Sequence, residues 1–423
     1  MNGRSGGRPF DVVGAGPRAR PHAVHQVLAT LGYGDAIGNE VLGIQRVLRA
    51  AGYRSDIFVE TADPRLESLT RDFRDLVGES HPDNVLLHHF SIGSKASRVA
   101  YALPDRMMLV YHNITPPRYF VDIHKLLVRF CYHGRRELGA YVDRCDLALG
   151  DSEFNRLELQ DLGFTRTGVL PVVADFSHLD VTPNDIVARD FDDGWTNILF
   201  VGRVIPNKRI EHLIRFYTLY KTRYNPRSRL LIVGSSQEFD RYQTMLYDLV
   251  GRLGVSDVHF TGHVSNEELT AYYDVADVFL CASEHEGFCV PLVEAFYKRI
   301  PVVAWAKTAV PATMDGAGVL YEHADPGEVA TLIDLVVSDA DLQERVLRTQ
   351  DAALERMAAR DLAGTLLPLV ERVQAGPRLA PTAVTSDFWQ QFDTTERVAE
   401  LRLMRPAMYR ALPTATRASG ITV

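Results

Sequence analysis

The sequence predicts an α/β protein made of two Rossmann-like, doubly wound parallel-sheet domains that face each other across a cleft. Two observations carry this prediction. The chain has 423 residues, which is more than one hydrophobic core usually serves. Short apolar runs also alternate with helical patterns along its length, as in parallel sheets joined by crossover helices. The alternation occurs twice, in two halves of similar size.

Composition indicates an ordinary globular protein. Hydrophobic residues make up 46% of the chain and charged residues 24%. The net charge of -8 and the pI near 6.0 argue against a nucleic-acid partner, which needs a basic face. The four cysteines show neither a CxxC pair nor zinc-like spacing, so we expect reduced thiols and no metal.

The sequence shows no membrane-spanning segment and no signal peptide. Nowhere do eighteen apolar residues run together, and the Gly- and Arg-rich N-terminus lacks an apolar core. We therefore expect a cytoplasmic protein. Peripheral contact with the inner face of the membrane stays open, because an amphipathic patch need not show as a hydrophobic run.

Each half contains six candidate strands. Those of the first half lie at 23–31, 56–60, 84–87, 107–111, 146–150 and 168–173. Those of the second half lie at 197–201, 230–233, 258–261, 278–282, 302–305 and 319–321. The segment between the halves is acidic and has no periodicity, which is typical of a linker.

These patterns divide the chain into six parts. We predict a flexible tail at 1–20, a first Rossmann-like domain at 21–178, a linker at 179–194, a second Rossmann-like domain at 195–375, return helices at 376–412 and a tail at 413–423. The return helices carry apolar positions that can pack back on the first domain.

Two cations follow the first strand of the second half. Gly202 and Arg203 come directly after this strand, and Lys208 lies just before the next helix. Arginine offers a planar fork suited to phosphate oxygens and lysine a point charge. The pair can neutralise a diphosphate without a metal. The alternative is that both are solvated loop cations.

The stretch from Glu286 to Glu294 follows another buried strand. Gly287 permits a close backbone approach, and Pro291 fits the first turn of a helix, where its missing amide costs no hydrogen bond. That turn offers free amides and a positive dipole end to an anion. We expect Glu286 in the loop and Glu294 one turn into the helix, where both contact a ligand. Solvated helix-face glutamates are the alternative.

Together these residues resemble the motif set of the retaining GT-B glycosyltransferases of family 4, the glycosyltransferases group 1. The resemblance implies that Arg203 and Lys208 hold the donor diphosphate as leaving group and that Glu286 contacts the donor sugar. It further implies that Glu294 binds the ribose. Donor contacts from the backbone are implied at Gly202, Gly287, Phe288, Cys289 and Val290.

The segment 261–264 resembles the base-binding loop of the same family, which makes His263 and Val264 candidates for donor binding. A surface or capping role is the alternative for His263. Independently of the resemblance, Ser265 and Glu268 have the spacing of a capping box, so we predict that a helix begins there.

In the first half, the strand 23–31 leads into a glycine-rich loop and an amphipathic helix. Gly34 and Gly38 in this loop can form an anion cradle, and the resembled family has a comparable loop beside the donor phosphate and the acceptor. A plain tight turn is the alternative. Asp35 departs from the simple glycine pair, and we place it on the acceptor side.

Histidines follow two other strands of the first half. His112 matches a histidine that the resemblance places in the cleft against the reacting sugar, with a structural histidine as the alternative. Asn113, His88 and His89 are candidates for the acceptor side. The adjacent histidines lack a third ligand at recognisable spacing, so we expect no metal there.

The resemblance implies a co-substrate rather than a cofactor. The partners would be a nucleotide-sugar donor, namely GDP-mannose, UDP-glucose or UDP-N-acetylglucosamine, and an unidentified hydroxyl acceptor in a glycan, lipid-linked sugar or small molecule. No DxD-like metal motif follows a strand, and Asp192 and Asp193 lie in the linker. We therefore expect metal-independent transfer of a hexosyl unit with retention, by attack on the donor face that the leaving phosphate occupies.

Three alternatives stay open. An epimerase or a phosphorylase can share the GT-B fold, and a non-catalytic module can bind the same nucleotide sugar. The stretch 14–19 imitates a dinucleotide fingerprint, which would indicate an oxidoreductase. Pro17 and the basic residues after it are poor material for the helix that this fingerprint requires.

Overall fold

The computed structural model describes residues 23–173, 175–379 and 402–411. The fingerprint-like stretch 14–19, the terminal tails and most of the predicted return segment 376–412 lie outside these residues. The described chain forms two parallel sheets whose successive strands are connected mainly through helices. This is the predicted pair of Rossmann-like domains.

The first sheet has seven strands in the order β3-β2-β1-β4-β5-β6-β7, all parallel. Its strands are β1 (Val24–Leu31), β2 (Ile57–Ala62), β3 (Thr70–Asp72), β4 (Val85–Phe90), β5 (Arg106–Tyr111), β6 (Leu147–Gly150) and β7 (Thr167–Val169). The strand order reverses between β1 and β4, which opens a crevice at their carboxyl ends.

The second sheet has six parallel strands in the order β10-β9-β8-β11-β12-β13. Its strands are β8 (Thr196–Val201), β9 (Ser228–Val233), β10 (Val258–Gly262), β11 (Val278–Cys281), β12 (Val302–Trp305) and β13 (Val319–Tyr321). Here the order reverses between β8 and β11, so the loops after these neighbouring strands meet at one edge.

The helices of the first half and the connecting segment are α1 (Ala36–Ala50), α2 (Leu76–Glu79), α3 (Lys95–Ala102), α4 (Lys125–Ala140), α5 (Glu153–Asp161) and α6 (Asp185–Phe191). Those of the second half are α7 (Ile210–Arg223), α8 (Asp240–Leu253), α9 (Asn266–Asp274), α10 (Val290–Tyr297), α11 (Val310–Met314), α12 (Pro326–Ser338), α13 (Ala340–Ala358), α14 (Leu362–Ala375) and α15 (Pro406–Ala411). Within the described residues, no helix combines the length and the apolar character that crossing a membrane requires.

All twelve predicted strands are present, with ends shifted by a few residues. The prediction missed β3, because this edge strand is three polar residues long and has no apolar pattern. The predicted linker 179–194 also contains α6, which begins where the Asn184 side chain accepts from the amides of Ile186 and Val187. The predicted domain boundaries stay predictions.

The chain returns to the first sheet through α14. This helix contacts α1, β4 and β5, and its Leu366 and Val370 are fully buried in the same apolar cluster as Val24 and Ile44. The sequence placed 362–375 in the second domain. Only three residues separate α13 from α14, and they carry no glycine or proline to mark the crossing.

Gly134 of α4 and Gly93 of the loop after β4 allow this helix and this loop to approach each other closely. A Cβ on Gly134 would lie 2.6 Å from the backbone nitrogen of Gly93 and 2.9 Å from Cδ1 of Ile114. Gly139, in the same helix, has no atom within 4 Å of such a Cβ. The helix therefore depends on a glycine at one position and tolerates a side chain at the other.

We expect Gly134→Ala to lower the free energy of unfolding by about 1–3 kcal/mol, because the added methyl group meets backbone that must shift. The matched change Gly139→Ala should raise it by up to about 1 kcal/mol, since alanine favours a helix over glycine. Urea denaturation of both variants measures the difference. Equal stabilities would contradict the close approach.

Candidate functional site

A cleft of about 870 Å³ lies between the two sheets. Loops of both domains form its walls, together with the segment that connects them. Of the predicted site residues, this cleft is lined by Gly34, Gly202, Arg203, His263, Val264 and Glu294. The remaining predicted residues do not line it.

Arg203 is an exposed cation on the cleft wall. It follows Gly202, whose φ of 149° lies at the edge of the left-handed region. The guanidinium lies 5.5 Å from the ring centre of Phe239, and it has no carboxylate partner in the described part of the chain. Arg203 is therefore available to an anion in the cleft.

Beside Arg203, the backbone of Gly234 approaches the backbone of Gly202 closely. A Cβ on Gly234, at the end of β9, would lie 2.0 Å from the carbonyl oxygen of Gly202, and the φ of Gly234 is 145°. A side chain there would push apart the loops that carry Arg203 and Ser235. The glycine keeps both loops against the cleft.

Lys208 and Glu286 join the two predicted motifs of the second domain. The Nζ atom of Lys208 lies 2.5 Å from Oε1 of Glu286, and the two side chains are only 17% and 8% exposed. Burial alone would lower the pKa of Lys208, but Glu286, together with Cys289 and Cys281, outweighs burial and raises it, so the lysine is charged. The sequence placed both at strand ends, and the structure brings them into contact.

Backbone bonds fix this contact. The amide of Glu284 donates to the carbonyl of Asn207 at 2.9 Å, and the Asn207 side chain donates to the carbonyl of His285 at 3.0 Å. The Thr308 hydroxyl accepts from the amide of Glu286 at 2.9 Å. The turn before α7 and the loop after β11 therefore move as one unit.

Gly287 lies where the domains meet. A Cβ at this position would lie 2.8 Å from Cβ of Asn113 and 3.0 Å from the carbonyl oxygen of His112, both in the first domain. The Asn155 side chain also donates to the Gly287 carbonyl at 3.4 Å. Because glycine has no side chain, the loop after β11 can lie directly on the loop after β5.

The residues after Gly287 lead into α10, as predicted. Phe288 is buried, and its carbonyl accepts from the Thr313 hydroxyl. Cys289 takes a left-handed conformation with φ 80°, and α10 begins at Val290 with Pro291 in its first turn. The amides of Gly287 to Cys289 have no hydrogen-bond partner among the described residues, so they remain available as donors.

Glu294 is held from two sides. Its Oε2 accepts from the Tyr273 hydroxyl at 2.7 Å, and its Oε1 lies 2.9 Å from Nε2 of His178. The bond to Glu294 raises the pKa of His178 despite partial burial. A ribose hydroxyl would have to share Glu294 with these partners or displace His178, which lines the same cleft.

His263 and Val264 lie in the cleft wall after β10, where Gly262 takes a positive φ of 74°. The next helix, α9, begins with the predicted capping box: Ser265 accepts from the amide of Glu268, and the Glu268 carboxylate accepts from the amide of Ser265. The backbone of this loop is thus fixed where the prediction places the base.

The glycine-rich loop of the first domain behaves as a capped turn. Gly34 lines the cleft with a φ of 73°. Asp35 caps α1, since its Oδ1 accepts from the amide of Gly38 at 2.6 Å. Gly38 is buried, and a Cβ there would lie 2.2 Å from the carbonyl oxygen of Gly32. The turn therefore accounts for the residue types at both positions: Asp35 caps the helix, and Gly38 leaves room for the carbonyl of Gly32.

His112 belongs to a buried chain of polar side chains. Its Nε2 lies 2.9 Å from Nδ1 of His89, whose Nε2 lies 2.9 Å from Oε1 of Gln26. The side-chain nitrogen of Gln26 donates to the carbonyl of Val41, which leaves the side-chain oxygen of Gln26 to accept from Nε2 of His89. Burial holds the pKa of His89 far below its usual value, and a neutral His89 accepts from His112. We therefore assign a proton to Nε2 of His112.

Two buried carboxylates face the other nitrogen of His112. Its Nδ1 lies 3.7 Å from Asp151 and 3.8 Å from Glu40. Burial would lower the pKa of His112, but Asp151 and Glu40 together raise it. Burial raises the pKa of Glu40 to about 7, and it also raises that of Asp151. The His112 ring is 2% exposed, so these contacts hold it inside the first domain.

The acceptor-side candidates His88 and Asn113 lie in different parts of the first domain. His88 is enclosed in the core, where Nε2 lies 3.0 Å from the Ser97 hydroxyl and burial lowers its pKa to about 3. Asn113 takes a left-handed φ of 71° and donates to Asn155 at 2.8 Å. Asn113 therefore lies at the domain contact, whereas His88 does not approach the cleft.

Sequence reasoning missed several residues of the site. His178 is the last residue of the predicted first domain, and Tyr273 lies in α9 without a motif to mark it. Glu40 and Asn155 lie on helices without any motif. The position of Asp151 after β6 was the available signal, because it placed a carboxylate at the carboxyl edge of the first sheet.

A family model described as glycosyl transferases group 1 matches residues 182–350. The O-antigen chain mannosyltransferase B of Escherichia coli is 27% identical over 255 residues, which are 55% of this chain and 65% of that protein. A GDP-mannose-dependent alpha-mannosyltransferase of Mycolicibacterium smegmatis is 34% identical over 112 residues, 26% of each chain. This chain thus spans less than two thirds of the length of either relative.

Two solved structures share the fold. Sucrose-phosphate synthase from Thermosynechococcus elongatus aligns with a TM-score of 0.64 and 16% identity over 84% of this chain and 99% of that one. HepE of Anabaena, solved in complex with UDP-glucose, aligns with a TM-score of 0.63 and 15% identity over 83% and 98%. At these identities the likeness concerns the fold.

The His112 cluster should make stability depend on pH. Glu40 has an ordinary pKa of 4.5 and a folded pKa of about 7, so its contribution is complete below pH 4.5 and is lost as the pH rises through 7. The raised pKa of His112 acts in the same direction. The Glu40 shift corresponds to at most about 3.5 kcal/mol, at about 1.4 kcal/mol per pKa unit.

We expect Glu40→Gln to flatten this dependence, because glutamine cannot titrate. Urea denaturation from pH 5 to 8 should show the variant gaining stability relative to the unmodified protein as the pH rises. The exposed Glu67→Gln serves as the control and should follow the unmodified protein. Parallel curves for Glu40→Gln would rule out a titrating carboxyl at this position.

Proposed function

The chain belongs to the glycosyl transferases group 1 family and has the GT-B fold, and on this premise we propose that it transfers a hexosyl unit from a nucleotide-diphosphate sugar to a hydroxyl acceptor, with retention of configuration. The observation that carries the proposal is the contact of Lys208 with Glu286, which joins the segments that follow the neighbouring strands β8 and β11. Arg203 also follows β8 and lines the cleft. Parallel α/β sheets bind ligands at the carboxyl ends of such strands.

The proposed donor site uses the cations in different ways. Arg203 is exposed and has no carboxylate partner among the described residues, so it can bind the diphosphate as the donor enters. Lys208 begins in contact with Glu286 and would bind the diphosphate when a sugar hydroxyl takes over part of the Glu286 carboxylate. Both cations then stabilise the leaving group as the anomeric carbon becomes cation-like.

The nucleoside would occupy the other end of the cleft. Glu294 supports ribose binding because it is buried, lines the cleft and is oriented by Tyr273. The loop at His263 and Val264 supports base binding through its fixed backbone. The free amides from Gly287 to Cys289 point to sugar and phosphate contacts that need no metal.

Mannose is the donor sugar to test first. The two relatives described above carry mannosyltransferase names, and one of these names specifies GDP-mannose. UDP-glucose is the second donor, since HepE was solved with it. The acceptor stays open, because the side chains of the first domain that reach the cleft do not form a recognisable binding code.

In this proposal the His112 side chain holds the neighbouring backbone in place and does not itself contact the reacting sugar. It is enclosed by His89, Asp151 and Glu40, while its carbonyl lies against the loop of Glu286. The cluster would fix the backbone that supports the sugar-binding loop. A direct contact of His112 with the reacting sugar requires the ring to leave this cluster.

We expect Arg203→Ala and Lys208→Ala each to lower the transfer rate by about 10²–10³-fold, because each removes a charge that stabilises the leaving diphosphate. The measurement is release of nucleoside diphosphate in the presence of an acceptor extract. Arg215→Ala, an exposed change on α7, is the control and should keep full activity. Near-normal turnover in both site variants, with unchanged urea midpoints, would refute the assignment.

A thermal-shift panel with GDP-mannose, UDP-glucose and UDP-N-acetylglucosamine should identify the donor. A ligand at a hundred times its dissociation constant stabilises the folded protein by about 2.7 kcal/mol. Transfer from that donor should continue in EDTA, and NMR should show a product with the donor's anomeric configuration. Inverted product would contradict retention, and conversion of the donor without an acceptor would indicate an epimerase.

A further inference from the structure

We propose that Cys281, Glu286 and Cys289 form a binding site for a thiophilic divalent metal ion such as Zn²⁺. The two sulfur atoms and a carboxylate oxygen all lie within 4.8 Å of one another. Two of the residues are buried and Cys289 is partly exposed, so the group is enclosed but has one open side. The site does not depend on the proposed transferase activity.

The spacing suits tetrahedral coordination. Zinc binds thiolate sulfur at about 2.3 Å and carboxylate oxygen at about 2.0–2.2 Å, which places neighbouring ligand atoms roughly 3.5–4 Å apart. Small side-chain rotations can bring three atoms that already lie within 4.8 Å to these separations. Two sulfur ligands select zinc, cadmium or cobalt over magnesium and calcium, which prefer oxygen.

The chain builds this group through an unusual backbone conformation. Cys281 ends β11, and Cys289 precedes α10 with φ 80° and ψ 69°. A left-handed conformation is uncommon for a residue other than glycine, and such residues cluster at functional sites. The two thiols lie eight positions apart in the sequence, and the loop between them folds back so that their sulfur atoms lie within 4.8 Å of each other.

Charge balance permits a bound ion. Two thiolates and the Glu286 carboxylate carry three negative charges, and a divalent ion leaves one of them uncompensated. Lys208, whose Nζ lies 2.5 Å from Glu286, supplies the missing positive charge. The buried group is therefore neutral with the metal and both thiolates, and it is equally neutral without metal when both thiols are protonated.

A buried hydroxyl lies two positions after Cys281. Ser283 is fully buried, and its Oγ has no hydrogen-bond partner among the described residues. A metal-bound Cys281 thiolate would accept from this hydroxyl, and such outer contacts orient metal ligands.

Binding has two chemical consequences. Each ion displaces one proton from each thiol, so uptake releases two protons per metal and oxidises nothing. The ion also competes with Lys208 for the Glu286 carboxylate. Zinc should therefore inhibit the proposed transfer, whereas a chelator should leave it intact or raise it.

The test is a Co²⁺ titration of the full chain after reduction and removal of metals with EDTA. Cobalt reports thiolate ligands through a sulfur-to-metal charge-transfer band in the near ultraviolet. We expect the band to saturate at one ion per chain and Zn²⁺ to abolish it. Cys281→Ser and Cys289→Ser should each lose the band or bind at least tenfold more weakly.

Two controls keep the test independent of folding. Cys131→Ser and Cys145→Ser remove buried thiols elsewhere in the chain and should keep the band. Glu286→Gln keeps both thiols and should weaken Co²⁺ binding without changing the far-ultraviolet circular dichroism. A failure of the transferase proposal would show in turnover assays and would leave this band unchanged.

Either of two results would overturn the proposal. One is a reduced protein that gives no band, or a band that survives both Cys281→Ser and Cys289→Ser. The other is a protein that binds no metal and instead forms a Cys281–Cys289 disulfide with a mild oxidant, seen by mass spectrometry as the loss of two hydrogens. That result would assign the thiol pair to redox chemistry.

Discussion

The direct backbone contact at Gly287 is the constraint on which the rest of the site depends. With a side chain at this position, the loop after β11 could not lie against His112 and Asn113. The same loop carries Glu286 and Cys289, begins directly after Cys281, and is tied to the turn of Lys208 through Asn207. One missing Cβ therefore holds together groups from three loops and both domains.

The polar interior of the first domain supports this contact from behind. The chain from Gln26 through His89 to His112 fixes one ring nitrogen, and the two carboxylates fix the other. Burying several titratable groups is costly unless each has a partner, so this cluster is maintained against a stability cost. It fixes the backbone of the loop after β5, which is the surface that meets Gly287.

The sequence was a good guide to elements and a partial guide to the site. Strands, the capping box at Ser265 and the helix at Pro291 follow from local patterns, and the structure confirms them. The partners of the motif residues could not be predicted in this way. Tyr273, His178 and Glu40 gain their positions from tertiary packing, and no local periodicity encodes which buried group a histidine faces. The same limit hid the sulfur pair, because two cysteines eight positions apart match no metal-binding spacing.

The return of the chain through α14 bears on how the two domains can move. Within the described residues, the polypeptide crosses between them twice, once between β7 and β8 and again between α13 and α14. A body attached through a single flexible strand can swing and twist freely, whereas two separate attachments define an axis. We therefore expect the cleft to open by a hinge rotation about the line that joins the two crossings. Twisting about any other direction would stretch one crossing. The loops of the second domain that line the cleft should therefore return to the same position against the first domain after each opening.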